Sequence, residues 1–167
     1  EQYLNMLDKC TMITGRRDMY KTNGTDVKEQ IDTIKSRADG SNPKILFIRT
    51  SSSSVKAKQS EGSVGGEILK DLGCVNIADT SLLDDLSLEA IVVANPDYIF
   101  VTTQGNDTDA AIRNIDKLLT SNPAWSSLTA VKQGRYYVLD KKLYNLKPNA
   151  KWGEAYKQLV DILYIDR

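Results

Sequence analysis

The chain has 167 residues, of which 41% are hydrophobic and 26% charged, an ordinary globular composition that excludes disordered, collagen-like and disulfide-rich classes. Its 22 basic residues balance 22 acidic ones, so no net positive field attracts nucleic acid or an anionic membrane. The absence of His excludes a Ser-His-Asp triad and a histidine-ligated zinc site built from this chain alone.

The first 40 residues are predicted to be helical. An apolar stripe begins at Tyr3 and stops near Gly15, and a second helix is expected between an N-cap at Thr25 and Gly40. Residues 40–43 contain Gly and Pro and are typical of a linker. The sequence therefore predicts a helical segment over residues 1–40 and an α/β domain over residues 41–167.

Strands and helices alternate after residue 41. Strands are predicted at residues 44–48, 75–77, 98–102 and 136–139. Helices are predicted after Ser63, Ser87, Thr108 and Pro148. Residues 88–94 also have strand propensity, but a helix is preferred because a tight break at residues 95–97 precedes a convincing strand. The alternation predicts an α/β fold, a three-layer sandwich with a mainly parallel sheet.

Open parallel sheets bind ligands at the carboxyl ends of their strands, so the residues that follow each strand form the candidate site. The candidate ligand-binding residues are Arg49, Lys56, Lys58, Gln104, Tyr144, Asn145 and Lys147. Arg49 is the first choice because its planar guanidinium can hold a pair of carboxylate or catecholate oxygens. The simpler explanation is that loops are polar in every protein. No catalytic set, resident metal or cofactor motif is recognisable, and the glycines of residues 62–66 are predicted to be a packing feature rather than a phosphate loop.

Five segments stand in an order and at separations that resemble a known family. They are residues 73–79, 86–91, 95–101, 123–137 and 147–156, with the sequences GCVNIAD, LSLEAI, NPDYIFV, PAWSSLTAVKQGRYY and KPNAKWGEAY. Together they resemble the C-terminal lobe of the substrate-binding proteins of ABC importers for iron-siderophores, haem and cobalamin. The last segment is most similar to the Gram-positive branch.

This resemblance implies a solute receptor without enzymatic activity or resident cofactor. Its ligand is expected to be a small-molecule metal chelate or a tetrapyrrole, held in a cleft of which this lobe forms one wall. Residues 1–40 are expected to be a remnant of the N-terminal lobe and of the helix that joins the lobes. The partners are then the permease membrane subunits and the remaining N-terminal lobe. The location is expected to be the extracellular face of the membrane, through a lipid anchor, or the periplasm in a Gram-negative cell.

Glu89 resembles the surface glutamate with which such receptors engage arginines of the permease. A carboxylate in the first turn of a helix is also favoured by the helix dipole, which is the purely structural explanation. Two other functions stay open, a small single-domain α/β enzyme or nucleotide-binding protein and a structural interaction module. The ligand also stays open between siderophore, haem and corrinoid. The absence of His makes haem somewhat less favoured but leaves Tyr144 as a possible axial ligand.

Overall fold

A computed structural model of the protein describes residues 2–80 and 87–165. The chain divides into two compact units, one formed by Glu1–Asp39 with Pro148–Arg167 and the other by Gly40–Lys147. The first division falls beside the boundary expected at residue 40. Residues 148–165, however, group with the N-terminal helices, although the sequence predicted them to be part of the α/β domain.

Three helices, α1 (Gln2–Thr14), α2 (Arg17–Tyr20) and α3 (Asp26–Lys35), fill the N-terminal part of the first unit. Helix α1 ends where predicted, before Gly15 with a φ of 69°. Thr25 was expected to cap a new helix, but it has helical dihedral angles and makes no side-chain cap, because a π-helical turn over Lys21–Thr25 runs directly into α3. A continuous helix leaves no free amide groups at this point for a cap to satisfy. Helix α3 also ends at Lys35, before the expected Gly40.

The second unit contains a five-stranded sheet. Its strands are β1 (Lys44–Thr50), β2 (Val55–Ala57), β3 (Val75–Asn76), β4 (Tyr98–Thr103) and β5 (Tyr136–Leu139). The strand order is β2-β1-β4-β5, with β3 also paired to β1, and every pairing except that of β2 is parallel. The four predicted strands and the mainly parallel sheet are confirmed, whereas the antiparallel β2 was not predicted.

In the part of this unit that the structure describes, six α-helices accompany the sheet, namely α4 (Val64–Asp71), α5 (Leu88–Ala94), α6 (Thr108–Ser121), α7 (Ala124–Ser127), α8 (Thr129–Lys132) and α9 (Lys141–Tyr144). The helix preferred over a strand at residues 88–94 is confirmed. Its start is capped by Ser87, which accepts from the amide of Ala90, and its end is the left-handed Asn95. The cap of α6 is Asp107 rather than the predicted Thr108, since the Asp107 carboxylate accepts from the amide of Ala110 at 2.8 Å.

The two faces of the sheet carry different side chains. One face, which includes Ile48 and Val101, packs with residues of α5–α8 into the main hydrophobic cluster. The other face carries aromatic rings, with Phe100 stacked against Tyr137 at a centroid distance of 5.8 Å. A Cβ atom at Gly65 would lie 2.5 Å from Cζ of Phe47 on this face, so only glycine lets α4 approach the ring. The predicted packing role of this glycine is therefore confirmed.

The last helix, α10 (Trp152–Val160), follows a 3-10 turn over Asn149–Lys151 and continues into a π-helical turn over Asp161–Ile165. It packs against α3, and Gly153 gives room to the side chain of Gln30. This packing explains why residues 148–165 belong to the first unit. Within residues 2–80 and 87–165, no helix combines the length and apolar composition needed to cross a lipid bilayer.

Candidate ligand-binding edge of the sheet

Three basic residues share one face at the carboxyl end of β1. Arg49 lies directly opposite Lys56 of the antiparallel β2, and Lys58 follows on the same face, because its amide continues the ladder to the carbonyl of Phe47 at 2.8 Å. We call Arg49, Lys56 and Lys58 the cationic edge. Like charges directly opposite each other on neighbouring strands destabilise a sheet. The hairpin therefore holds an unfavourable arrangement that an anion would relieve.

The side chains of the cationic edge are available for a ligand. Arg49 and Lys58 are half-buried and Lys56 is exposed. Among the residues that the structure describes, no carboxylate forms an ion pair with any of the three. A half-buried guanidinium without a carboxylate partner is a strong attractor for anionic oxygens, since its fork matches them geometrically.

Two threonines near the end of the sheet differ in their hydrogen bonding. Thr50 is buried and donates from Oγ1 to the carbonyl of Ala111 at 2.9 Å. Thr102 is also buried and lies beside Arg49 in the register, but its Oγ1 has no hydrogen-bond partner among the described residues. A buried hydroxyl without a partner lowers stability by about 1–3 kcal/mol. The pair formed by Arg49 and Thr102 therefore contains an unsatisfied hydroxyl, whereas the Thr50 hydroxyl in the next pair is satisfied.

The three loops that follow β1, β4 and β5 are tied together, as expected from their positions. The amide of Gln104 donates to the carbonyl of Thr50 at 2.7 Å, and the side-chain amide of Asn145 donates to the carbonyl of Thr103 at 3.1 Å. Lys141 reaches the carbonyl of Gly105 at 2.9 Å. The side chains of Gln104 and Lys147 are exposed, whereas Asn145 is half-buried and connects loops. The loops therefore form a connected rim next to the cationic edge.

Tyr144 does not lie where the sequence analysis placed it. Its side chain is completely buried, with 0% exposure, because the loop after β5 folds into the short helix α9 and turns Leu143 and Tyr144 inwards. A hydroxyl in this position is not presented to a ligand at the rim. Tyr144 is therefore removed from the candidate ligand-binding set and from the possible axial ligands of haem.

Two residues outside the predicted ligand-binding set form hydrogen bonds to the segment that follows β2. Asn76 is buried and donates from its side-chain amide to the carbonyl of Lys58 at 2.8 Å. The Asp79 carboxylate accepts from the amide and the hydroxyl of Ser60, both at 2.7 Å. These bonds position the strand that carries Lys56 and Lys58. Both residues lie in residues 73–79, one of the five segments that resemble the family, so that resemblance could have identified them.

A groove of about 670 Å³ lies away from this edge, where β5 begins. It is lined by Asp116, Leu119, Asn122, Pro123, Trp125, Ser126, Val131 and Tyr136. Burial, with a smaller contribution from Asp116, raises the pKa of Tyr136 to about 12. The groove contains none of the predicted ligand-binding residues. We assign the candidate site to the cationic edge because its three basic side chains have no carboxylate partner among the described residues.

A family model described as periplasmic binding protein matches residues 1–143. The chain belongs to the periplasmic binding protein family. The predicted family is thereby confirmed. Among curated proteins, the iron-uptake system-binding protein of Bacillus subtilis (strain 168) is 26% identical over 155 residues, which are 88% of this chain and 46% of that protein. The chain thus spans about half the length of this relative.

Solved structures of periplasmic binding proteins share the fold. S. aureus IsdE complexed with heme superimposes with a TM-score of 0.78 at 19% identity, covering 96% of this chain and 63% of that one. An ABC transporter substrate-binding protein from Listeria monocytogenes EGD-e gives a TM-score of 0.75 at 24% identity, covering 98% of this chain and 64% of that one. The match to a family of binding proteins fits the expectation of a receptor without enzymatic activity.

Glu89 stands in the first turn of α5, one helix of this periplasmic binding protein unit, and its side chain is exposed. The cap by Ser87 fixes the start of the helix and thereby the position of Glu89. The structural explanation, a carboxylate near the positive end of a short helix, and the docking explanation both require this placement. The docking role stays a prediction.

Proposed function

We propose that this chain is part of the solute receptor of an ABC importer and forms one wall of the cleft that holds an iron complex, a haem or a corrinoid. The family and the iron-uptake relative support the receptor class. The observation that carries the proposal is the cationic edge at the carboxyl end of the sheet, where Arg49 and Lys56 lie opposite each other without carboxylates. Parallel α/β units bind ligands at this end of their strands.

The residues of the edge take different roles in the proposed cleft. Arg49 is the central anchor, since it is half-buried and its guanidinium is a planar fork of donors. Lys56 and Lys58 add charge from the neighbouring strand, while Gln104 and Lys147 extend the contact surface along the rim. Asn145 supports the rim by binding the carbonyl of Thr103 rather than by touching the ligand.

The partners in this proposal are a second lobe that closes the cleft and the permease, with Glu89 as a docking carboxylate. The place of action is the extracellular face of the membrane through a lipid anchor, or the periplasm in a Gram-negative cell. Affinity in a two-lobed receptor depends on burying the ligand from both sides. One wall alone is therefore expected to bind weakly.

The receptor function is tested by measuring ligand binding to the complete product of the gene that encodes this chain. Intrinsic Trp fluorescence or calorimetry would be recorded with ferric chelates, haemin and cyanocobalamin. Arg49→Ala is expected to weaken binding about ten-fold or more, as loss of a charge-assisted hydrogen-bonded anchor does. Lys132→Ala, an exposed lysine of α8, is the matched control and is expected to bind normally. If none of these metal complexes binds, the receptor proposal is wrong.

The docking role of Glu89 is tested by separating uptake from binding. Glu89→Arg is expected to abolish uptake of the labelled ligand while its affinity for the isolated receptor stays unchanged, because docking uses an exposed carboxylate outside the cleft. Asp109→Arg, an exposed carboxylate in the first turn of α6, is the control and is expected to leave uptake intact. Normal uptake by Glu89→Arg would leave Glu89 with its structural role only.

A further inference from the structure

Strand β5 is the last strand of the sheet and has a free edge. It pairs with β4, and no other strand among the described residues lies beside it. The amide of Ile99 donates to the carbonyl of Arg135. In a parallel ladder this bond sets the pattern, so that alternate residues of β5, beginning with Arg135, face β4. The backbone groups of Tyr136 and Val138 therefore point outwards, and none of the described residues forms a hydrogen bond with them.

This free edge lacks the features that usually prevent the addition of another strand. Natural edge strands carry Lys, Pro or a bulge for that purpose. The sequence of β5 is Tyr-Tyr-Val-Leu, without charge or Pro, and its register with β4 is uninterrupted. Val138 stands within this strand with 45% of its surface exposed. An apolar and regular edge of this kind is suited to bind an extended segment through its main chain.

The groove where β5 begins lies on the same face of the sheet as Val138. Tyr136 lines the groove, and Val138 is two residues further along the strand, so both side chains leave β5 on one face. Leu119, Trp125 and Val131 contribute apolar walls to the groove. A strand added to β5 would place the side chain opposite Tyr136 at the mouth of this groove. The added strand therefore needs an apolar residue at that position.

We propose that the added strand is β5 of a second copy of the chain, paired antiparallel about a two-fold axis at Tyr137. In this register Val138 of the second copy lies opposite Tyr136. Both residues have outward backbone groups, so each of the two symmetric pairs exchanges both of its backbone hydrogen bonds. The exposed valine of each copy covers the groove of the other. The result is one continuous sheet with five strands from each copy.

Charge and backbone pattern both favour this register. With the axis at Tyr137, Arg135 lies opposite Leu139 of the second copy and meets no like charge. With the axis at Val138, Arg135 would lie opposite Lys141, and opposed like charges destabilise a pair of strands. An axis between two residues would set an outward residue against an inward one and lose the hydrogen bonds. The zero net charge of the chain adds no general repulsion between copies.

The test measures self-association of the complete product of the gene that encodes this chain. Sedimentation velocity from about 1 to 200 μM is expected to show a dimer with a dissociation constant of about 1–100 μM, because the interface is small. Val138→Lys is expected to raise this constant about 100-fold, which is about ten-fold at each symmetric contact, because it places a charge against an apolar groove. Val93→Lys on α5, where Val93 is 87% exposed, is the control and should dimerise normally.

The register is tested by oxidation of single-cysteine variants in a Cys10→Ser background, since Cys10 is exposed. Tyr137→Cys on the axis would place the two Cα atoms about 4.5 Å apart, within the range of a disulfide. In Val138→Cys they would be about 8 Å apart, which is too far, although Val138 is more exposed than Tyr137. We expect a disulfide-linked dimer from Tyr137→Cys and none from Val138→Cys.

A monomer at every concentration, a dimer that Val138→Lys does not weaken, or cross-linking of Val138→Cys without cross-linking of Tyr137→Cys would overturn this inference. If Tyr137→Cys does not fold, the comparison of Val138→Lys with Val93→Lys decides. Ligand affinity is expected to be the same in Val138→Lys and the wild type, because the groove lies away from the cationic edge. The dimer and the receptor function are therefore confirmed or overturned independently.

Discussion

The two ends of the parallel sheet differ in how their polar groups are satisfied. At the amino end, the Asp97 carboxylate accepts from the amide of Lys44 at 2.9 Å, and the guanidinium of Arg135 lies 5.0 Å from the ring centroid of Tyr98. At the carboxyl end, Arg49 and Lys56 face each other without a carboxylate among the described residues, and the nearby Thr102 hydroxyl lacks a partner.

We therefore expect residues at the amino end of the sheet to contribute to stability and the basic residues at the carboxyl end to contribute to ligand binding. At the amino end, Asp97 and Arg135 have partners within the chain. At the carboxyl end, Thr50 and Asn145 also have partners within the chain, whereas Arg49, Lys56 and Lys58 have no carboxylate partner among the described residues, at the end where parallel sheets bind ligands. Substitutions at the amino end and in the sheet core are therefore expected to change stability without changing ligand affinity.

The largest effect is expected from Gly65→Ala. The new Cβ would lie 2.5 Å from Cζ of Phe47, on the face that continues into Arg49, and should lower the free energy of unfolding by about 2 kcal/mol through overpacking. Urea denaturation would measure it. In a Phe47→Leu background the same substitution should be less damaging, because the shorter side chain leaves space. Equal losses in both backgrounds would contradict a direct clash with the ring.

A pair of threonine substitutions tests the end of the sheet itself. Thr50→Val removes a satisfied buried hydroxyl and should lower the free energy of unfolding by about 1 kcal/mol. Thr102→Val removes an unsatisfied buried hydroxyl of nearly the same volume and should raise it by about 1 kcal/mol. The two variants are each other's control in chemical denaturation. A loss of stability in Thr102→Val would show that its hydroxyl has a partner after all.

At the amino end, Asp97→Ala should lower the free energy of unfolding by about 0.5–1 kcal/mol, because the amide of Lys44 loses a half-buried carboxylate acceptor. Asp97→Asn keeps an acceptor oxygen and should lose less. Ligand affinity of the receptor should be the same in both variants, measured by calorimetry. A weakened ligand affinity would break the proposed separation between the two ends of the sheet.

The smallest effect concerns Tyr136 and alkaline pH. Because burial raises the pKa of Tyr136 to about 12, the folded chain keeps a proton that the unfolded chain loses near pH 10. The free energy of unfolding should therefore fall as pH rises from 10 to 12, by at most about 1 kcal/mol after allowance for partial solvation. Tyr136→Phe should remove this part of the pH dependence. An identical pH profile for the variant would contradict the raised pKa.

The sequence by itself determined the α/β class, the four parallel strands and the family, because these depend on local patterns that need no distant partner. Apolar runs predicted β1 and β4, and Ser87 with Asn95 and Pro96 placed helix α5. Arg49 was identified as a candidate in the same way, since the position after a buried strand is itself a local feature. Because open parallel sheets bind ligands at the carboxyl ends of their strands, this position made Arg49 a candidate ligand-binding residue.

Only the tertiary structure decided which chemistry the edge presents. Strand β2 has three residues and no apolar run, so its pairing, and with it the position of Lys56 opposite Arg49, follows from the hairpin closed by Ser51 and Ser54. Tyr144 is buried because α9 turns it inwards, and α10 joins the first unit because it packs against α3. The packing of α10 on α3 and the bond from Asn76 that holds the segment after β2 depend on contacts between residues distant in the sequence, which no local pattern contains.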